Sequence, residues 1–439
     1  MLAQTRVYNF NGSMYLNEFV DVSSFKESLS RHLAVPVDAT PVGELYERLT
    51  RERKQDKPTV DKLFFENILY SHLNHVQVNK IGNPSSMRTV TFQQRMNRIL
   101  QDLNHKEAIP NAFHEIMNAN QPFFLLDRLN ISTVGTKFIA ALDYEVSGTA
   151  IRRIRLIYTE VIRRLGRPAY AVAGLEVDFS KQVYLVMTKF IDSIDRSEDE
   201  DAQSEANYIH SISNLENRVL EKIIQPLSIT YDINVTKDRK GIFSFCKHLD
   251  DSMLDHVRSI VDRKTSALLA ASSDVIFTAL FDGAPPPVAG EKQNFIENSK
   301  ALLTSAYINT TFSKTDLVRT AKSLRLPGFP TRISYTSTRS SRGSTESASA
   351  RNPIASSEIF HSMYLTFKQA TQLQVFSISW FLDYNFSKPR NTEVKQTTIY
   401  ARTGSFKIIF KQSLAIGEGY FYHVIDTINR YRNYEEIDE

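Results

Sequence analysis

Cysteine is nearly absent from this chain of 439 amino acids, which contains only Cys246. A single cysteine excludes an internal disulfide framework and any zinc site built from several cysteines. Secreted proteins of this size usually carry disulfides, so we expect a reducing compartment: the cytoplasm, or the host cell interior if the chain is viral. The first residues lack the apolar core of a signal peptide, and no run approaches the ~18 apolar residues of a membrane helix. We therefore predict no membrane partner.

Motifs for catalysis are also missing: there is no Gly-x-x-x-x-Gly-Lys, Gly-x-Gly-x-x-Gly, His-Glu-x-x-His or Gly-x-Ser-x-Gly. Glu176 and Asp178 share one face of a predicted strand, as the carboxylates of two-metal nucleases can. A second set near a helix start could imitate metal ligands: His248, Asp251, Asp255 and His256. An exposed strand face and the helix dipole explain both sets equally well. We predict no catalytic residue, metal or cofactor, and a metal-dependent nuclease is the third functional hypothesis.

The sharpest pattern in the chain is the stretch 151–165. At about 100° per residue its apolar side chains fall on one half of a helix. Five arginines fall on the other half: Arg152, Arg153, Arg155, Arg163 and Arg164. Gly166 and Pro168 would end this helix. The pattern predicts an outward row of guanidinium groups, extended by Arg167, which suits bidentate phosphate contacts; a solvated helix face is the alternative.

Positive charge is concentrated near the end of the chain, although the whole has a net charge of +4. Residues 314–411 contain 15 Lys and Arg against 5 Asp and Glu. Within this region, 312–328 resembles the first helix of small helix-extended-loop-helix nucleic-acid modules, with Thr315 as its N-cap. The resemblance covers that one helix, and a capped surface helix is the alternative. It implies an exposed basic face formed by Lys314, Arg319, Lys322 and Arg325.

A serine-rich tract follows at 337–352. It cannot bury a core, so we expect it to be mobile when free. Arg339, Arg342 and Arg351 could order it on RNA; an ordinary flexible hairpin loop is the alternative. Aromatic residues alternate with basic ones around it, and exposed rings could stack on single-stranded bases. These aromatic residues are Tyr335, Tyr364, Phe367, Trp380, Tyr384, Tyr400 and Phe406.

The order of these patterns predicts an α+β fold in three domains. Residues 1–167 form a mainly helical domain, with helices at 59–73, 87–103 and 134–146, that ends in the arginine helix. Residues 168–282 form a mixed domain with a long helix at 249–271 and strands at 171–180, 183–187, 227–235, 241–245 and 275–281. The proline-rich linker 283–290 then leads to a basic domain, 291–439. Its antiparallel strands are predicted at 362–367, 373–382, 394–402 and 406–411, before a last helix at 419–433.

Our leading functional hypothesis is non-enzymatic binding of RNA or another single-stranded nucleic acid, through arginines 152–167 and the basic C-terminal domain. The alternative is a structural or assembly protein, for example of a virus or phage particle, whose charges meet an acidic protein neighbour. Both hypotheses allow a homo-oligomer or a larger assembly.

Overall fold

A computed structural model of the protein describes residues 16–36, 40–103, 109–126, 129–190, 212–336, 342–411 and 416–433. These residues form helices and antiparallel β-strands, which confirms the α+β class. They divide into two compact units, residues 1–233 with 413–421 and residues 234–412 with 422–439. This division differs from the predicted one. The predicted boundary between residues 167 and 168 lies inside a β-hairpin, and the predicted linker 283–290 lies inside the second unit.

Helices cover both faces of the sheet in the first unit. They are α1 (Val22–Leu33), α2 (Val42–Glu52), α3 (Lys57–Ser71), α4 (Thr89–Leu103), α5 (Asn111–His114) and α6 (Ile212–Val219), which continues as a π-helical turn, Leu220–Ile224. Helix α1 begins at Asp21, whose side chain accepts a hydrogen bond from the Ser24 backbone, as an N-cap should. Helix α4 buries Phe92, Met96 and Ile99 among others, which is the spacing of one helical face.

The first unit contains one antiparallel sheet. Its strands are β1 (His75–Ile81), β2 (Met87–Arg88), β3 (Phe123–Phe124), β4 (Lys137–Ser147), β5 (Ala150–Arg164), β6 (Arg167–Asp178), β7 (Val183–Thr188) and β8 (Tyr231–Asp232). The spatial order is β1-β7-β6-β5-β4-β3, with β2 on β5 and β8 on β1. The strands predicted at 171–180 and 183–187 are confirmed. The helix predicted at 134–146 is wrong, because these residues form β4.

The predicted arginine helix at 151–165 is also wrong, because this stretch is strand β5. Every residue from Ile154 to Ile162 is buried, so both faces of the strand are covered and no period-two pattern marks it. Its many β-branched residues favour a strand over a helix. Leu165 and Gly166 have φ of 50° and 74°, as a two-residue type I′ turn requires. Gly166 therefore closes a hairpin with β6 instead of ending a helix.

The second unit is built on helix α7 (Val235–Leu280), which has 46 residues and starts at the N-cap Asn234. It contains the helix predicted at 249–271. The strands predicted at 241–245 and 275–281 are wrong, and of 227–235 only Tyr231–Asp232 is a strand. Phe245 on α7 stacks on Tyr431 with ring centroids 4.4 Å apart, so the apolar residues at 241–245 pack as part of a buried helical face.

The remaining elements of the second unit include five antiparallel strands. They are α8 (Glu291–Thr311), α9 (Lys314–Ser323), β9 (Gly328–Thr336), β10 (Arg342–Glu346), α10 (Glu358–Ser362), α11 (Tyr364–Ala370), β11 (Val375–Phe381), β12 (Val394–Arg402), β13 (Ser405–Phe410) and α12 (Glu418–Asn433), whose first residues belong to the first unit. The strand order is β10-β9-β11-β12-β13. The strands predicted at 373–382, 394–402 and 406–411 and the helix at 419–433 are confirmed.

The strand predicted at 362–367 is wrong, because α10 and α11 occupy this region. Phe360 and Phe367 pack together with ring centroids 5.9 Å apart, and their spacing of seven residues matches a helical face. Residues 283–290 join α7 to α8, which run antiparallel, since Asp262 pairs with Lys300 and Asp274 with Lys292. Among the described residues, no helix is both long enough and apolar enough to span a membrane.

Candidate nucleic-acid interface

Charged side chains form a ladder across β4, β5 and β6 on one face of the first sheet. Asp143 lies opposite Arg155, which lies opposite Glu176 on the other side. On the next rung Arg153 lies opposite Glu145 and forms an ion pair with it. Opposite charges across neighbouring strands stabilise a sheet. Two of the arginines predicted to face outward therefore face acids of their own unit.

Arg155 lies at the centre of this ladder and is only 2% exposed. Its Nη2 donates to Oδ2 of Asp143 at 2.5 Å, and its Nη1 lies 3.1 Å from Oε1 of Glu66 on α3. Burial raises the pKa of the Glu66 carboxyl, although the Arg155 charge opposes the rise. The prediction that Arg155 faces outward is wrong, because its partners hold it inside. Arg153 is 20% exposed at its side chain, whereas Arg152 is exposed.

The two carboxylates of the nuclease hypothesis are not on an exposed strand face, as we had expected. Glu176 is 1% exposed and Asp178 is 7% exposed. Glu176 accepts a hydrogen bond from the Tyr70 hydroxyl at 2.8 Å. Asp178 accepts from the backbone of Ser180 and Lys181 and so fixes the turn into β7. Within the described ranges, no three His, Cys, Asp or Glu side chains are grouped as metal ligands.

Three arginines lie at the end of the β5–β6 hairpin, and we call Arg163, Arg164 and Arg167 the arginine tip. Pairing of β4 with β5 ends at Glu160, and pairing of β7 with β6 ends at Ala173. The β5–β6 ribbon continues beyond both, to Arg164 opposite Arg167. The tip thus extends past its neighbouring strands.

Most of the positive charge of the arginine tip is uncompensated. Arg163 and Arg167 are exposed, and neither has an acidic partner in the part of the chain that the structure describes. Arg164 is half-buried, and its Nη1 lies 3.0 Å from Oε2 of Glu18. Lys189 shares the same carboxylate at 3.9 Å. Glu18 therefore contacts both Arg164 and Lys189. The like charges of Arg164 and Arg167 lie directly across the hairpin, where they repel.

The predicted basic helix exists as α9, but its charges do not share one exposed face. Ser313, not Thr315, is its N-cap, in a capping box with Asp316. Lys322 is 4% exposed, with its Nζ 2.9 Å from Oδ2 of Asp383, so the prediction that it is exposed is wrong. Arg319 is exposed, with Asp316 3.4 Å away. Lys314 begins the helix, and Arg325 is exposed just after it.

The serine-rich tract is partly a strand. Residues 342–346 form β10, which pairs with β9 from Arg342 opposite Thr336; the prediction of a mobile loop is wrong for them, since the ladder satisfies their backbone. Arg342 and Arg351 are exposed. Arg339 lies outside the described residues. Of the aromatic residues proposed for base stacking, four are buried: Tyr335, Phe367, Trp380 and Phe406.

Three of those aromatic residues are half-buried: Tyr364, Tyr384 and Tyr400. The guanidinium of Arg402 lies over the ring of Tyr400, 4.9 Å from the ring centroid. The guanidinium of Arg258 lies over the ring of Tyr364, 4.4 Å from the ring centroid. Sequence reasoning missed Arg258, which has no motif around it and is defined by its neighbours in space.

Arg258 lies at a cavity of about 370 Å³ between α7, α8, α10 and α11. Its guanidinium donates to Asp251 at 2.7 Å and to the buried Asp250 at 2.5 Å. His361 lines the same cavity, and burial lowers its pKa, so its ring is neutral at pH 7. Asp251, a predicted metal-like residue, is therefore an ion-pair partner. The other three, His248, Asp255 and His256, are exposed on α7.

Comparison of the chain with protein-family models, curated proteins and solved structures finds no match. Function has to be argued from the residues themselves.

Proposed function

We propose that this protein binds RNA or another single-stranded nucleic acid without catalysing a reaction, and that the arginine tip carries the contact. The observation behind this proposal is the exposed, acid-free pair Arg163 and Arg167 at the end of a projecting β-ribbon. An anion bound between Arg164 and Arg167, which lie opposite each other on one face of the ribbon, would relieve the repulsion between their guanidinium groups. Phosphate fits best, because arginine binds it through two parallel hydrogen bonds.

The hairpin also suits this role in its shape. The two-residue turn leaves Leu165 72% exposed between the arginines, so an apolar side chain accompanies the charges to the end of the ribbon. Two-stranded ribbons can enter the grooves of nucleic acids or follow their backbone. An intracellular location, inside a host cell if the chain is viral, would bring the tip into contact with RNA.

A salt titration of binding tests the proposal. Fluorescence polarisation would follow a labelled single-stranded RNA and the matching single-stranded DNA and duplexes over a range of salt concentrations. Each phosphate contact on a single strand contributes about 0.7 to the slope of log affinity against log salt. The variant Arg163→Gln/Arg167→Gln should therefore lower that slope by about 1.4 and weaken binding at low salt.

A matched control removes two exposed arginines elsewhere, in Arg51→Gln/Arg263→Gln. It loses the same charge, so a slope close to that of the parent would assign the effect to the tip. Both variants should keep the parent's melting temperature, because exposed substitutions usually change stability by less than ~0.5 kcal/mol. Equal slopes for the parent and the tip variant would refute the proposal. Failure of the parent to bind any nucleic acid would favour the assembly hypothesis.

A further inference from the structure

Helix α7 carries two rows of residues at heptad spacing, of which the first is entirely apolar. The first row is Leu254, Val261, Leu268 and Val275, which recur every seven residues. The second row lies three residues further on and comprises Val257, Lys264, Ala271 and Thr278. Rows with this spacing form one narrow stripe along a helix, as in coiled coils. We call these eight residues the seam.

The seam is buried at its first end and exposed at its second. Leu254, Val257 and Val261 are 0%, 3% and 5% exposed, whereas Leu268 and Val275 are 68% and 70% exposed. Beyond Val261, the one buried residue of this fully described helix is Ser273. The apolar stripe thus continues into solvent after the core has ended. Contiguous exposed apolar surface of this kind marks an interaction site.

Helix α8 does not cover the exposed part of the seam. It packs on the opposite side of α7, where Phe277 meets Phe295 edge to face with ring centroids 5.7 Å apart. On a helical wheel, Ser273 and Phe277 lie about 140–180° from Leu268. In this region one face of α7 therefore packs on α8, and the opposite face is open within the described part of the chain.

We propose that the open seam binds the same seam of a second copy of this chain, with the two α7 helices antiparallel about a two-fold axis. Antiparallel pairing of heptads places first-row residues against second-row residues. Val275 then faces Ala271 of the partner subunit, and Leu268 faces Thr278 of the partner subunit. Large residues meet smaller ones at every layer near the axis, which allows close helix packing.

Charge selects this arrangement over a parallel one. The same register places Lys264 against Asp282 of the partner subunit, just past the last turn of α7, and symmetry repeats the pair at the other end. Lys264 and Asp282 are exposed, and neither has an ion pair within the described ranges. A parallel dimer would instead place Lys264 against its own copy, and like charges at matching positions disfavour association. This inference is independent of the proposed binding of nucleic acid.

The oligomeric state of the full chain tests the inference. Sedimentation equilibrium should show a reversible dimer, and Val275→Glu should shift it to monomer, because it buries two carboxylates at the axis. The control Val288→Glu alters a residue that is 76% exposed but off the seam, and it should dimerise like the parent. A parent that is monomeric throughout, or a dimer indifferent to Val275→Glu, would overturn the proposal.

Charge exchange tests the register. Lys264→Glu and Asp282→Lys should each raise the dissociation constant about tenfold, since every change affects two symmetric pairs. The double variant should return close to the parent's value. Absence of rescue would exclude the antiparallel register.

Cysteine cross-linking gives a readout that does not depend on affinity. The natural Cys246 is buried, so introduced thiols can be followed alone. Ala271→Cys and Val275→Cys should cross-link when the two proteins are mixed and oxidised, whereas Ala271→Cys alone should not. Efficient cross-linking of Ala271→Cys to itself would indicate a parallel pair and contradict the proposal.

Discussion

Removal of the Arg155 guanidinium should destabilise the first unit strongly. In Arg155→Met a side chain of similar length stays in place, but the positive charge between Asp143 and Glu66 is lost. These carboxylates lie 2.5 and 3.1 Å from the guanidinium, and their side chains are only 9% and 21% exposed. Breaking a buried pair costs about 3–5 kcal/mol, because the surviving charge stays desolvated. Partial exposure of Glu66 places the expected loss near the lower end, at about 3 kcal/mol.

Urea unfolding followed by far-ultraviolet circular dichroism measures this loss. With a denaturant slope of about 1–3 kcal/mol per molar, a loss of about 3 kcal/mol lowers the urea midpoint by roughly 1–3 M. The matched control is Arg152→Gln, which removes an exposed arginine of the same strand and should change stability by less than ~0.5 kcal/mol. A midpoint for Arg155→Met as high as that of Arg152→Gln would show that the ladder contributes nothing and refute the reasoning.

The same variant has a predictable dependence on pH. Burial raises the pKa of Glu66 in the folded protein, so stability linked to this group is fully present below the ordinary glutamate pKa and is lost as pH rises through the raised value. Arg155 opposes that rise, and its removal should raise the Glu66 pKa further. The difference between parent and Arg155→Met should therefore be larger at pH 7 than near about pH 4. Asp143→Asn combined with Arg155→Met should cost less than the sum of the single changes.

Three further outcomes can be checked by the same unfolding measurements. Burial opposes ionisation of Asp383, but hydrogen bonds from Lys322, Ser387 and Lys388 hold the pKa of its carboxyl far below the usual value. Its contribution to the free energy of unfolding is therefore present above pH ~4 and lost as pH falls. Asp383→Asn should make the second unit less stable at neutral pH and its stability less sensitive to acid. Leu165→Asn should stabilise the hairpin by up to about 1 kcal/mol, since asparagine tolerates the left-handed backbone better than leucine; a lower midpoint would contradict this. Gly241→Ala should lower the free energy of unfolding by about 1–3 kcal/mol, because a Cβ there would lie 2.8 Å from the Tyr431 carbonyl oxygen. An unchanged midpoint would show that α7 and α12 can shift apart to admit the methyl group.

Sequence periodicity predicted strands well where one face of the strand is polar and failed where both faces are buried. Strand β13, predicted at 406–411, lies at Ser405–Phe410, because buried residues alternate in it with half-buried ones. Strand β5 has apolar residues on both faces, and its arginines happened to fall on one half of a helical wheel. The first half of α7 failed for the converse reason: its β-branched and aromatic residues favour a strand locally, but their packing partners impose a helix.

The predicted exposure of the candidate site residues failed where a carboxylate from a distant segment of the chain pairs with them. Arg163 and Arg167 are exposed, as predicted. Arg155 and Lys322 carry the same kind of charge and are buried, since each meets a carboxylate from another segment of the chain. Asp143 is 12 residues from Arg155, and Asp383 is 61 residues from Lys322. No local pattern links such pairs, because strand register and tertiary packing create them.

The two halves of α7 have the same hydrogen-bonded backbone, yet they should open at very different rates. Amide protons in the first half, where residues such as Leu254 and Val261 are buried, can exchange with solvent only when the core around them unfolds. From Lys264 to Leu280 the one buried residue of the helix is Ser273, so local opening suffices to expose the amides of this half. One uninterrupted helix should thus combine a slowly exchanging half with a rapidly exchanging half. A binding partner on the solvated half should therefore raise the protection of its amides.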